Sequence, residues 1–209
     1  VGPTYPGAEE AEVSPWLIWR DAGFGPVGAA PAQGFSIAPS FGIVGERESA
    51  DEPGLTGLDD INTAYELGLR ASYAAGPVTG YGSIRRGFDG HEGLTGEVGA
   101  TYRTDLSDRV TLWSGAEVVY GNDDFNDTYF GVTPAESVTS GLPASAPGGG
   151  FNEAAITFEA RYALSDTTAL LGEVRYGKLI GDAADSPVVQ DEYQPSLRLG
   201  LVRRFSFGF

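Results

Sequence analysis

From Leu197 to Phe209 the chain reads LRLGLVRRFSFGF, with Leu197, Leu199, Leu201, Phe205, Phe207 and Phe209 on alternate positions. A period of two is that of a β-strand, whose successive side chains leave opposite faces. The other face carries Arg198, Gly200, Val202, Arg204, Ser206 and Gly208. In a soluble sheet the apolar face of such a ribbon meets a core. In a membrane barrel it meets lipid, and the polar face lines the interior. The two arrangements exchange inside and outside, so this choice precedes all others.

The same alternation recurs along the chain. FNEAAITFEARYAL (151–164) sets Ala154, Ile156, Phe158, Ala160, Tyr162 and Leu164 against Thr157, Glu159 and Arg161. TALLGEVRYGK (168–178) sets Leu170, Val174 and Tyr176 against Glu173 and Arg175. GLTGEVGATYRT (93–104) opposes Leu94, Val98, Ala100 and Tyr102 to Glu97, Thr101 and Arg103; NTAYELGLRASY (62–73) opposes Tyr65, Leu67, Leu69, Ala71 and Tyr73 to Glu66, Gly68, Arg70 and Ser72. RVTLWSGAEVVY (109–120) is less regular but puts Glu117 opposite Val118. The polar face therefore collects Glu66, Glu97, Glu117, Glu159 and Glu173 with Arg70, Arg103, Arg161, Arg175, Arg198 and Arg204. Opposite charges on neighbouring strands attract by about 0.2–1 kcal/mol per pair. A solvated face would use Lys freely, yet this chain has one Lys against twelve Arg. Arginine is the residue of enclosed, bidentate ion pairs, so the charged face reads as the lumen of a barrel and the apolar face as its lipid surface. Tyr and Phe concentrate towards strand ends, as in the aromatic girdles of outer-membrane barrels.

Composition agrees. Glycine is frequent, at 31 of 209 residues, and Tyr, Phe and Trp together number 24, while sustained helical periodicity is missing. No segment approaches the ~18 consecutive apolar residues of a transmembrane helix. Without cysteine there is no disulfide, thiolate metal site or thiol nucleophile. A net charge of −16 argues against nucleic acid as a partner. The start at Val1, with no initiator Met or apolar leader, reads as that of a processed protein.

Link lengths give orientation. TDLSDR (104–109), SDTT (165–168) and AAGP (74–77) are short; 46–62, 122–150 and 180–194 are long. Outer-membrane barrels have short periplasmic turns and long external loops, which places the long links outside, together with DGHEG (89–93) and PGAEEAE (6–12). Strands are expected at about 12–20, 35–46, 62–74, 77–88, 93–104, 109–121, 151–164, 168–180 and 194–208, with Val1–Tyr5 as the stub of another. If 24–46 is one interrupted strand the total is ten; a separate crossing over 24–30 would require twelve. The expected fold class is all-β, a single antiparallel transmembrane β-barrel domain over 1–209 of about ten strands. Its long extracellular loop, 122–150, is too apolar for a plain hairpin, with Tyr129, Phe130, Val132, Val138 and Leu142. We expect it to fold over the barrel mouth. PAESVTSG (134–141) should form a short helix, with Thr133 as N-cap, Pro134 in the first turn and Gly141 as the stop.

TYFGVTPAESVTSGLP (128–143) and GDAADSPVV (181–189), with GLDD at 57–60 and YPG at 5–7, resemble the MipA/OmpV family of outer-membrane proteins. The resemblance spans the chain. It implies a monomeric β-barrel in the outer membrane of a Gram-negative bacterium, in contact with lipid and lipopolysaccharide. It also implies a scaffolding role between a murein lytic transglycosylase and a murein synthase. The loop positions that carry it include Tyr129, Phe130, Gly131, Ser140, Gly141, Asp182, Asp185, Ser186 and Pro187. Asp182 and Asp185 are expected to tie their loop through Asx-type hydrogen bonds, with Pro187 stiffening it. Phe205, Phe207 and Phe209 stand where such barrels carry a terminal aromatic signal.

Three chemistries compete with the scaffold. His91, between Asp89 and Glu92, has the makings of a general base, but no serine motif accompanies it, and the expectation is no enzyme. The acidic stretches AEEAE, ERESADE, DDFND and DAAD lack the spacing of a calcium loop and read as solvated loops near cation-bridged lipopolysaccharide; no cofactor is expected. A narrow channel, or a small-molecule or adhesion receptor at the outer surface, is the remaining alternative. A ten-strand barrel is close to the size that side chains fill.

Overall fold

The structure, a computed structural model, describes residues 1–13, 33–50 and 53–203. Ten strands are described: β1 Gly2–Pro3, β2 Ala11–Glu12, β3 Gly34–Val44, β4 Ala64–Ala75, β5 Val78–Asp89, β6 Leu94–Asp105, β7 Val110–Gly121, β8 Gly150–Ser165, β9 Thr168–Leu179 and β10 Tyr193–Arg203. Strands β3 to β10 form one antiparallel sheet in sequence order. Beyond β10, Val1 and Leu197 exchange both backbone hydrogen bonds, each 2.8 Å, the pattern of an antiparallel pair; β1 then pairs with β2. The crossings expected over 12–20 and 24–30 lie almost wholly outside the described residues. So do Arg204, Phe205, Phe207 and Phe209.

The sheet is inside-out relative to a soluble one. Leu69 is 58% exposed and Leu199 71%, whereas Glu66, Glu159 and Glu173 are buried. Alternation places Tyr65, Leu67, Leu69, Ala71 and Tyr73 on the outer side of β4, and Glu66, Gly68, Arg70 and Ser72 within. Around the outer surface, Tyr65, Phe88, Tyr120, Phe151, Tyr176 and Tyr193 mark the long-loop end, and Phe35, Tyr73, Tyr102 and Tyr162 the short-turn end; all are exposed. Tyr65 and Tyr73 stand eight residues apart, about 27 Å along a strand. A tilt of about 40° makes that about 20 Å of height, close to the ~25 Å band of outer-membrane barrels. Outward charges keep to strand ends: Arg86 pairs in register with Leu67 and Leu94, and Lys178 with Tyr193. A cation at the bilayer midplane would cost about 2–4 kcal/mol and near the interface about 0–1. No described helix is long and apolar enough to cross a membrane.

Curvature follows from the loops. In a flat sheet, strands about 4.8 Å apart would hold the β3–β4 and β9–β10 loops more than 20 Å from each other. Instead Leu55, Val132 and Val188, from the β3–β4, β7–β8 and β9–β10 loops, pack in one buried cluster with Tyr5, Ala8 and Leu58. The sheet is therefore rolled, and the long loops meet across its mouth.

Candidate functional site

Inside the rolled sheet the charged side chains form a connected chain. Arg85 on β5 donates from Nε to Glu66 on β4 at 2.7 Å and lies 3.5 Å from Glu97 on β6. Glu97 accepts from Arg70 at 2.7 Å, and the Arg70 guanidinium stacks 3.6 Å from the centroid of the Tyr81 ring. The Tyr81 hydroxyl donates to Glu117 at 2.5 Å. Arg175 on β9 then bridges Glu117 at 3.0 Å and Glu153 at 2.6 and 3.1 Å, the latter pair bidentate. Glu66, Arg70, Glu97, Glu117 and Arg175 thus belong to one network with Arg85, Tyr81 and Glu153, which the sequence reading did not assign. Tyr81, Ser83 and Arg85 alternate on β5, but the adjacent Arg85 and Arg86 obscure which face is which. Glu173 and Arg198 pair at 2.8 Å.

The short-turn end holds a second arrangement. Arg161 donates to Glu159 at 2.5 Å and stacks 4.6 Å from the centroid of the Trp113 ring. Arg103 reaches the same ring at 5.7 Å and bonds Asp105 at 2.7 and 3.0 Å. The described members of the charged face fall into these three groups of ion pairs.

At the long-loop end the barrel is capped. Helix α1, Asp123–Phe130, starts at Asn122, whose side chain accepts from the Phe125 N–H. Helix α2, Pro134–Ser140, has Thr133 and Glu136 in a reciprocal capping box and ends at Gly141 in the left-handed region, φ 77°. Helix α3 is the four-residue Gly181–Ala184. A bulge in β8 opposite Val119 and Tyr120 turns Asn152 inward, where it donates to Asn126 on α1 at 2.7 Å. Phe125, Tyr129 and Phe130 pack with Ile61, Leu179 and Ala183 above the lumen. Val132 is also buried and Leu142 half-buried, but Val138, expected to pack, is 85% exposed: it falls on the solvent side of a helix with no buried residue.

The four stretches that carry the family resemblance converge here. Gly57, at φ +93°, accepts through its carbonyl from Thr139 at 2.6 Å. The Asp59 N–H donates to Glu136 at 3.0 Å. The Ser186 hydroxyl donates to the Phe130 carbonyl at 2.6 Å, and the Gln190 N–H to the Gly7 carbonyl at 2.8 Å. Gly131 donates to the Asp127 carbonyl as α1 ends, and the Ser140 hydroxyl bonds back to the Glu136 carbonyl. The expected Asx bonds of Asp182 and Asp185 are not formed: both side chains are in solvent, and the loop is held by Ser186 with Pro187 inside a turn closed by Val189 N–H to Ser186 carbonyl at 3.2 Å.

Two polar groups sit under this cap. Arg47 is 2% exposed and donates to the carbonyls of Tyr129 and Asp59 at 3.2 and 3.3 Å, with no described carboxylate within ion-pair range. Burial pulls its pKa below the ordinary value. Burial acts to raise the Glu136 carboxyl, but the hydrogen bonds from Asp59 and Thr133 outweigh it and hold the group below its usual range. His91 has a fully buried side chain, with Nε2 3.3 Å from Glu66 but lacking hydrogen-bond geometry. Its ring meets Phe125 and Tyr129 edge-on at 5.0 and 5.6 Å. The residue weighed as a general base is a packed component of the cap, shut off from solvent. No acidic cluster among the described residues has the geometry of a metal site.

Residues 1–205 match the family described as MltA-interacting protein MipA. The chain is similar to the MltA-interacting protein of Escherichia coli (strain K12), at 27% identity over 153 residues, which cover 71% of this chain and 59% of that one. The MltA-interacting protein of Shigella flexneri matches to the same extent. The putative outer membrane protein YiaT of Escherichia coli (strain K12) is 26% identical over 118 residues, 56% of this chain and 47% of that one. The aligned part spans roughly half to three-fifths of the length of these relatives.

Proposed function

The chain belongs to the MipA family of outer-membrane proteins, and from that premise we propose that it is a non-enzymatic scaffold of the cell envelope. In this reading it docks a murein lytic transglycosylase, the class of partner that its relatives' name records, and brings it near a murein synthase. The observation that carries the reading is the filled barrel. Its interior is crossed by the chain from Glu66 to Glu153 and its long-loop mouth is covered by α1, so among the described residues neither a wide pore nor an accessible histidine base is on offer. What remains for function is the surface. Lipid contacts the exposed apolar band, and lipopolysaccharide the acidic outer loops through bridging cations; the protein works as a monomer.

The test pairs two measurements on the folded protein in detergent. Planar-bilayer recordings should show no large, steady conductance steps, and immobilised protein should retain a purified lytic transglycosylase. Steady porin-like steps together with failure to retain the enzyme would replace the scaffold by a channel.

A further inference from the structure

The barrel is closed above but indented below. At the short-turn end a cavity of about 360 Å³ is lined by Arg103, Asp105, Asp108, Arg109, Thr111 and Arg161, among others. We propose that this cavity is a binding site for a short peptide that ends in a free carboxylate.

Three properties lead there. First, three guanidinium groups line the cavity with two carboxylates, a third carboxylate, Glu159, being held on Arg161, in a chain whose net charge is −16. In the mid-lumen chain the carboxylates are in excess, with Arg70, Arg85 and Arg175 against Glu66, Glu97, Glu117 and Glu153. Second, Arg161 is held ready. Its face rests on Trp113, its Nε is fixed by Glu159, and the side chain lines the cavity. A guanidinium oriented in advance loses less freedom on meeting a carboxylate, and fork-to-carboxylate bonds are strong and directional. Arg109, in the exposed turn, forms no described side-chain bond and can close over the same anion. Third, the acceptors are placed for amides. Asp105 accepts from Arg103 and from the Thr111 hydroxyl at 3.1 Å, and Asp108 adds an exposed carboxylate at the rim; both favour a ligand that also carries N–H donors. They disfavour a phosphate dianion, whose second charge they repel. The volume lies at the small end of ligand pockets and suits about two residues.

This site stands apart from the scaffold reading, because it is measured with the chain alone. Full-length protein folded in detergent is titrated calorimetrically with N-acetyl-alanyl-alanine, its C-terminal amide and inorganic phosphate. The acid should bind, more weakly as salt rises, and the amide at least roughly tenfold more weakly, the worth of one good charged contact. Arg109→Gln and Arg161→Gln should each weaken the acid by roughly tenfold. Both should keep the heat-sensitive gel mobility of the folded barrel; Arg109, on an exposed turn, keeps the test valid if Arg161→Gln does not fold. Equal binding of acid and amide, tighter binding of phosphate, insensitivity to Arg109→Gln, or no binding at millimolar peptide would each overturn the assignment. Retention of a transglycosylase, or its failure, leaves this result untouched.

Discussion

The Arg70 guanidinium lies over Tyr81, 3.6 Å from the ring centroid, and this contact joins two groups of ion pairs into one. On one side stand Glu66, Arg85 and Glu97; on the other, Glu117, Arg175 and Glu153. The tyrosine serves both, with its face to a cation and its hydroxyl to Glu117. Tyr81→Phe keeps the face and loses the hydroxyl, at a cost of about 1.5–3 kcal/mol for a hydrogen bond to a charged group. Tyr81→Leu loses the stacked ring as well, about 0.5–2 kcal/mol more. Urea titration of the barrel in lipid vesicles should rank wild type above Tyr81→Phe above Tyr81→Leu.

Arg175 neutralises two enclosed carboxylates at once. Arg175→Met leaves Glu117 and Glu153 without their cation and should cost about 3–5 kcal/mol, as expected when one partner of a buried pair is removed. The triple variant Arg175→Met, Glu117→Leu, Glu153→Leu should recover most of that loss. The temperature at which the compact band gives way to the unfolded band on gels reads both, and equal midpoints for the single and triple variants would refute the pairing.

Gly57 is positioned for its conformation as well as its contact. A Cβ there would stand 2.7 Å from the Thr139 carbonyl, on a backbone at φ +93° that side chains rarely adopt. Gly57→Ala should loosen α2 from the β3–β4 loop while the strands stay intact. Protease added to intact cells should spare residues 122–150 of wild type and cut them in Gly57→Ala.

Acid should act on the same latch. The folded carboxyl of Glu136 sits below its ordinary value of 4.5, so the unfolded cap binds a proton that the folded cap does not. The contribution is present above about pH 4.5 and is lost as pH falls through the lower folded value. Protease cleavage within 134–140 should therefore rise on acidification below that point. In Glu136→Gln this part of the pH dependence should vanish.

Strands were legible because side chains alternate along a sheet with an apolar outer side and a charged inner one. The expected 62–74, 109–121 and 151–164 lie within two residues of β4, β7 and β8. Helix α2 was legible because Thr133, Pro134 and Gly141 each have a fixed place at a helix end. Helix α1 was not: NDDFNDTYF is rich in poor helix formers, and its stability comes from packing Phe125, Tyr129 and Phe130 under loops distant in sequence. Its one local signal is Asn122 followed by Asp123 and Asp124, a favourable N-terminal charge pattern. Arg47 could not be singled out at all. An arginine in an acidic loop looks solvated, and its burial depends on carbonyls of residues 59 and 129. The same holds for the short-turn cavity, where Arg103 and Arg161 stood out by alternation but Arg109 belongs to the turn.

Residue 1 is hydrogen-bonded to residue 197, and Tyr5 is wedged beside Val188. Segments this far apart in sequence are thus needed in the same place before the lid can settle. Contacts of such long sequence separation are slow to form; a nascent molecule halted before its final hairpin would hold most of its staves yet remain unsealed. Closure of the lid is in this sense a late checkpoint of assembly, passed only when residues 1–8 have met the β9–β10 hairpin.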